Sequence, residues 1–277
     1  GSQTVNLTGI GPGPDSGQSV TNITASSDNT SLIPNPSVTY TSPNATGSLS
    51  YTPVANASGT ATITVIVTDD GGTANGGVAA VTNTFIVTVT SVNDAPTLNA
   101  PANLTINEDA GLQTVNLGGI GPGPDSGQSV TNITASSSNT GLIPNPSVTY
   151  TSPNATGSLS YTPVANASGT ATITVIVTDD GGTANGGVVA VTNTFTVTVT
   201  SVNDAPTLAA ISNPAAILED ASLQTVNLSG ISAGGGESQV LTVTASSSNP
   251  GLIPNPSVTY TSPNATGSLS YTPVANA

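Results

Sequence analysis

The eight residues Ser-Val-Asn-Asp-Ala-Pro-Thr-Leu at positions 91–98 return unchanged at 201–208. Almost everything before them returns as well, since residues 3–98 match 113–208 at 91 of 96 positions with an offset of 110. The differences are Thr8/Gly118, Asp28/Ser138, Ser31/Gly141, Ala79/Val189 and Ile86/Thr196. A third copy begins near Asp204, diverges, and rejoins over 251–277, which repeats 141–167 without a change. A period of this length is too long for a solenoid unit and suits a whole β-sandwich domain. The expected divisions are 1–94, a repeat lacking its first strand; 95–204, a complete repeat; and 205–277, a partial repeat lacking its last two strands. A chain that opens and closes inside a repeat is expected to be a window from a longer array.

Within one unit the segments are short, β-branched and separated by turn formers, which is the all-β pattern. No stretch keeps a 3.6-residue period. The second unit predicts seven strands, A to G: around Leu104–Ile106, Thr114–Leu117, Val130–Ala135, Val148–Thr151, Ser158–Thr162, Ala171–Thr178 and Val191–Ser201. In F, Ile173, Val175 and Val177 share one face and Thr172, Thr174 and Thr178 the other. In G, Phe195, Val197 and Val199 oppose Thr194, Thr196, Thr198 and Thr200. Ile86 becomes Thr196 on the face read as exposed, a swap that a core would resist. In C, Thr131 and Ile133 correspond to Leu241 and Val243, so that face is expected inward. Asn185-Gly186 signals a hairpin turn between F and G. The fold class is all-β: tandem seven-stranded Greek-key sandwiches.

The chain has no Lys, Arg, His or Cys, and its 14 acids give a formal net charge of −14. A polyanion without one cation has nothing to offer phosphates or an anionic bilayer surface, so neither nucleic acid nor membrane insertion of this segment is expected. Disulfides are absent. Ser and Thr have no base to activate them, and the reading is non-enzymatic.

The acids are not scattered. Ten of the 14 fall in two copies of one set, Asp69, Asp70, Asp94, Glu108 and Asp109, then Asp179, Asp180, Asp204, Glu219 and Asp220. Strand parity puts the A–B turn at one pole of a sandwich and the B–C and F–G loops at the other. At the first joint, Asn93 and Asp94 are therefore expected to meet Asp125, Asp179 and Asp180. At the second, Glu108 and Asp109 are expected to meet Asn203, Asp204 and Glu237. Two carboxylates about 4 Å apart repel by roughly 1–4 kcal/mol at effective dielectrics of 80 to 20. Ca²⁺ relieves this, since it takes several oxygens from carboxylates, Asn carbonyls and backbone. The plainer alternative is that Asp-Asp-Gly-Gly is a turn and Asn-Asp a linker cap.

Residues 157–208 (GSLSYTPVANASGTATITVIVTDDGG…VTNTFTVTVTSVNDAPTL) resemble the second half of a cadherin-type repeat. Essentially the whole chain resembles the cadherin-like repeats of very large bacterial surface and gliding adhesins. The resemblance implies an immunoglobulin-like sandwich, end-to-end stacking and Ca²⁺ at the joints. Asp180, Asn203 and Asp204 match family ligand positions, and Glu108 matches the A–B glutamate. The family's Asp-Arg-Glu after strand E is replaced by Tyr-Thr-Pro-Val-Ala-Asn at 161–166, and the linker begins Ser-Val rather than with an acid. One or two ions per joint are expected rather than three.

The leading expectation for function is a structural segment of a long, secreted, calcium-rigidified stalk or filament at a bacterial cell surface. Its partners would be further copies of the repeat in the same or neighbouring chains. One alternative is an adhesion or glycan-binding module, with a host or neighbouring-cell surface ligand. The other is a filament subunit whose end domains are completed by strands from neighbours.

Overall fold

The computed structural model describes residues 1–277. It is all-β, with sixteen strands and two short 3-10 turns, Ala74–Gly76 and Ala184–Gly186. The chain divides into two compact units. The first comprises Gly1–Ala95, Pro122–Ser129 and Asp179–Val189; the second comprises Pro96–Gly121, Val130–Thr178 and Ala190–Ala277.

In the first unit, β1 (Gln3–Thr8), β3 (Ser37–Thr39) and β4 (Thr46–Tyr51) form one sheet in the order β1-β4-β3. β2 (Val20–Ser27), β5 (Gly59–Asp69) and β6 (Ala80–Val89) form another, in the order β2-β5-β6. Val20, Ile23, Leu32, Ile33, Leu49, Ala61, Ile63 and Val65 are the buried core. Val-Thr alternation makes the strands, because β-branched side chains fit a pleated surface that is buried on one side only.

In the second unit, β7 (Leu104–Asn107), β8 (Gln113–Gly118), β9 (Val130–Ser137), β10 (Ser147–Thr149), β11 (Thr156–Tyr161), β12 (Gly169–Asp179) and β13 (Ala190–Thr200) occupy the seven expected segments. They pair as β10-β11-β8 and β7-β13-β12-β9. β7 runs parallel to β13, with Leu104 opposite Val197 and Ile106 opposite Val199. The first strand thus crosses away from its sequence neighbour β8 and closes the other sheet, the Greek-key arrangement of a sandwich. The phases of F and G are as read: Ile173, Val175, Val177, Phe195, Val197 and Val199 are all buried.

The third copy supplies β14 (Gln224–Leu228), β15 (Ser257–Thr259) and β16 (Gly267–Tyr271), paired as β14-β16-β15. The segment corresponding to β9, residues 240–247, forms no strand.

Two expectations are corrected. Thr131 does not point inward; Val130 and Ile133 are buried while Thr131 and Asn132 are exposed. In the first copy the ladder skips from Val20↔Asp69 to Asn22↔Thr68, a β-bulge at Thr21, and β9 has the same burial pattern. The extra residue resets the alternation. The F–G connection is also longer than a tight hairpin. Asn185 does take the left-handed conformation (φ 57°), but the ladder ends at Thr178↔Ala190 and leaves a loop between.

Candidate functional site: the acidic linker and its loops

In the first unit, the Ser-Val-Asn-Asp linker lies against the loop that follows β12. Asn93 is 5% exposed. Its Nδ2 donates to Asp179 Oδ1 (3.0 Å) and to the Val188 carbonyl (2.7 Å), and the Val188 amide donates back to the Asn93 carbonyl (2.9 Å). The Asp94 amide donates to Asp125 Oδ2 (2.7 Å). Asp179 Oδ1 also accepts from the Gly181 amide (2.9 Å), and Asp180 Oδ1 accepts from the Ser129 amide (2.8 Å). In these contacts the acids act as turn and linker caps.

In the second unit, the Val202 amide donates to the buried Glu108 (Oε1, 2.7 Å), and the Asn166 amide donates to Asp109 Oδ1 (2.9 Å). Glu237 takes the role of Asp125: its Oε2 accepts from the Asp204 amide (3.0 Å) and from Gln239 Nε2 (2.9 Å). Burial lifts the pKa of the Asp204 carboxyl, and the negative charges of Asp109, Glu237 and Glu108 lift it further. Asp204 thus feels three other acids, with no Lys, Arg or His in the chain to offset them.

The other expected residues lie apart from these groups. Asp69 and Asp70 accept from the Gly71 and Ser19 amides (both 2.8 Å). Glu219 and Asp220 are exposed. Asn203, unlike Asn93, is exposed, and its Nδ2 reaches only the carbonyl of Asp204 (3.1 Å). Sequence reasoning missed Gln128, Asn166 and the glycines beneath the acids. The Gly-Gly after Asp-Asp was the available signal, because close backbone approach is the second reason for glycine besides a turn.

As they stand, three acidic side chains nowhere converge closely enough to hold a metal ion. The chemistry of the donors nevertheless suits a hard cation, since every candidate offers oxygen. Asn93 Oδ1, Gln128 Oε1 and Asp204 Oδ2 are buried and accept no hydrogen bond. Gly235 is a cradle that a Cβ would fill: it would meet Asp204 Oδ2 and lie 3.0 Å from Asn166 Oδ1. Asp125, Asp179 and Asp180 would hold an ion in the first group, and Glu108, Asp109, Asp204 and Glu237 in the second.

Residues 93–200 match the family model described as "Bacterial Ig domain". This stretch is similar to a bacterial Ig domain. Residues 3–98 repeat most of the same Ig unit, given the 91 identities over 96 positions. No curated protein matches the sequence. Among solved structures, domains 4 and 5 of the S-layer protein SbsC are 22% identical, over 70% of this chain and 74% of theirs, with a TM-score of 0.27. Cadherin domains 1–4 of protocadherin gamma B7 are 14% identical over 92% of this chain and 59% of theirs (TM-score 0.38). The D1–D4 ectodomain fragment of ICAM-5 is 17% identical over 99% and 72% (TM-score 0.34). The Ig-like assignment rests on the strand pairing and the family match. In Ig terms, the first acidic group gathers on the linker with the B–C and F–G loops, and the second on the A–B turn, the linker and the next B–C loop.

Proposed function

We propose that this chain is a segment of a long extracellular stalk or filament of a bacterial surface protein, with Ca²⁺ at the acidic linkers stiffening it. Ig-like sandwiches repeated almost without change suit a spacer, whose property is length. A recognition tip would need loops that differ from copy to copy, and only five positions differ between residues 3–98 and 113–208. Catalysis is not part of this reading.

One observation carries the calcium reading. Asp204 has a buried carboxylate oxygen that accepts no hydrogen bond, and its charge is opposed by Asp109, Glu237 and Glu108 in a chain without Lys, Arg or His. Within the chain no basic side chain is available to offset that charge, and a bound cation would do so. Extracellular sites of this type bind weakly, with Kd on the order of 10⁻⁴–10⁻³ M.

The test is calcium titration calorimetry together with small-angle scattering with and without EDTA. Heat of binding in the sub-millimolar to millimolar range is expected. EDTA should make the molecule more compact and more quickly cut by proteases that do not require Lys or Arg. Absence of binding heat with unchanged scattering rejects the calcium reading.

A further inference from the structure

The loop that receives Asn93 occurs twice. Asp69–Ala79 and Asp179–Val189 differ only at Ala79/Val189, and only the second has a linker against it. Their backbones agree all the same. Asn75 and Asn185 have φ, ψ of 57°, 26° and 57°, 21°, and Gly77 and Gly187 have −59°, 149° and −58°, 151°. The shape of the loop therefore does not depend on the linker, and docking carries little ordering cost.

What differs is what covers the loop. A Cβ at Gly71 would meet the flexible end of Gln18 (Nε2, 2.5 Å). A Cβ at Gly181 would meet the equivalent Gln128 (Nε2, 2.6 Å) and, in addition, Asn93 Oδ1 and Cγ, and one at Gly187 would lie 2.9 Å from Asn93 Cβ and 3.1 Å from its backbone N. Val78 is 81% exposed and Val188 49%.

We propose that Asn93 is a positioning residue, a metal-independent latch that holds the 91–94 linker in a preformed, glycine-floored socket on the Asp179–Val189 loop. The position needs an amide. Nδ2 carries two hydrogens and serves two acceptors, Asp179 Oδ1 and the Val188 carbonyl. A carboxylate at 93 would turn oxygen toward both. The socket needs glycine at 181, because any side chain takes the space of Asn93. Asn203, the same linker residue in the next repeat, is exposed and bonded only to its own neighbour. The latch shares Asp179 with the calcium reading but needs no metal, because every bond in it is made by the chain itself.

Hydrogen exchange of the Val188 amide in EDTA tests the latch with metal removed. Asn93→Ala and Gly181→Ala should each speed it by about tenfold or more, because losing the two Nδ2 bonds frees the linker whose Asn93 carbonyl accepts from the Val188 amide. Asn203→Ala and Gly71→Ala should leave it unchanged, and slow exchange along β5 reports that each variant is folded. Equal exchange in the wild type and Asn93→Ala overturns the latch. So does acceleration by Gly181→Ala alone, which would make the contact one of packing rather than of the amide. The calcium reading fails differently: no binding heat while exchange in EDTA still depends on Asn93.

Discussion

β6 and β13 differ at one shared position, Ile86/Thr196, yet they lie in different surroundings. Phe195 is 2% exposed, and Val197 and Val199 are buried with it. Phe85, Val87 and Val89 are only partly buried against their core. The difference is four residues, Leu104–Asn107, which pair in parallel with β13, while the outer edge of β6 has no strand beside it. The Val/Thr pattern is enough to make a strand in either place. Burial of its apolar face depends on a partner 93 residues away in sequence, as in the Leu104–Val197 pair. Closing a long loop is entropically costly, so this edge gains its burial only through a distant partner.

The sharpest way to break the comparison is to truncate the shared phenylalanine in each copy. Phe195→Ala should destabilise its domain by about 3–5 kcal/mol, the usual cost for a fully buried ring. Phe85→Ala should cost clearly less, because part of its ring is already in contact with water. Urea unfolding read separately on β12 and β5 amides by hydrogen exchange distinguishes the two. Equal losses would mean that β7 adds pairing without adding burial.

A second contrast sets strand C of the complete copy against its counterpart in the third. Val130 is 4% exposed and Val240 is 87% exposed. The B-E-D sheet forms in all three copies, whereas residues 240–247 form no strand. Val130→Ala should cost about 1.5–2 kcal/mol, from two methyl groups at roughly 0.8 kcal/mol each plus a small cavity term. Val240→Ala should fall within about 0.5 kcal/mol of the parent. A measurable loss at Val240 would show that the third copy folds further in solution than its strands indicate.

These pairs also show what the sequence makes legible. Where alternation is unbroken, as in Ile173-Thr174-Val175, residue type alone sets the facing, and β12 and β13 follow it. It fails at Val130-Thr131-Asn132-Ile133, where two exposed residues separate the buried ones, the pattern that goes with the bulge at Thr21 in the first copy. The site divides in the same way. Acid placement followed from counting strands, so Asp94 with Asp125 and Asp204 with Glu237 could be anticipated. Gly181 had a local hint in its Asp-Asp-Gly-Gly run, but which side chain approaches it, and Gly235 altogether, could not be anticipated, because the partner comes from far along the chain. The bulge makes a prediction of its own. Thr131 Oγ1 donates to the Thr178 carbonyl (3.1 Å). Thr131→Val should therefore cost about 1 kcal/mol or less, the net value of one exposed hydrogen bond. An inward Thr131 would instead be stabilised by valine, so the sign of the change in β12 exchange decides the facing.

The smallest expected effect comes from the one acid that the two matched copies do not share. Asp28 and Ser138 differ in charge, and both stand where strand C gives way to its loop. Asp28 Oδ1 accepts from the Thr62 amide (2.7 Å), and Ser138 Oγ accepts from the Thr172 amide (2.9 Å). The reverse bonds are also alike: the Asp28 amide donates to the Thr62 carbonyl (3.1 Å) and the Ser138 amide to the Thr172 carbonyl (2.9 Å). The position thus requires a short side chain with an acceptor oxygen and is indifferent to charge. Asp28→Ser should stay within about 0.5 kcal/mol of the parent, while Asp28→Ala should lose about 1 kcal/mol by leaving the Thr62 amide without its side-chain partner. The reciprocal Ser138→Asp should be equally mild, since an exposed carboxylate far from the linker acids meets little opposing field in salt. If Asp28→Ser lost as much as Asp28→Ala, the carboxylate itself would matter at this corner, and the first copy would hold a charge-dependent contact that the second does without.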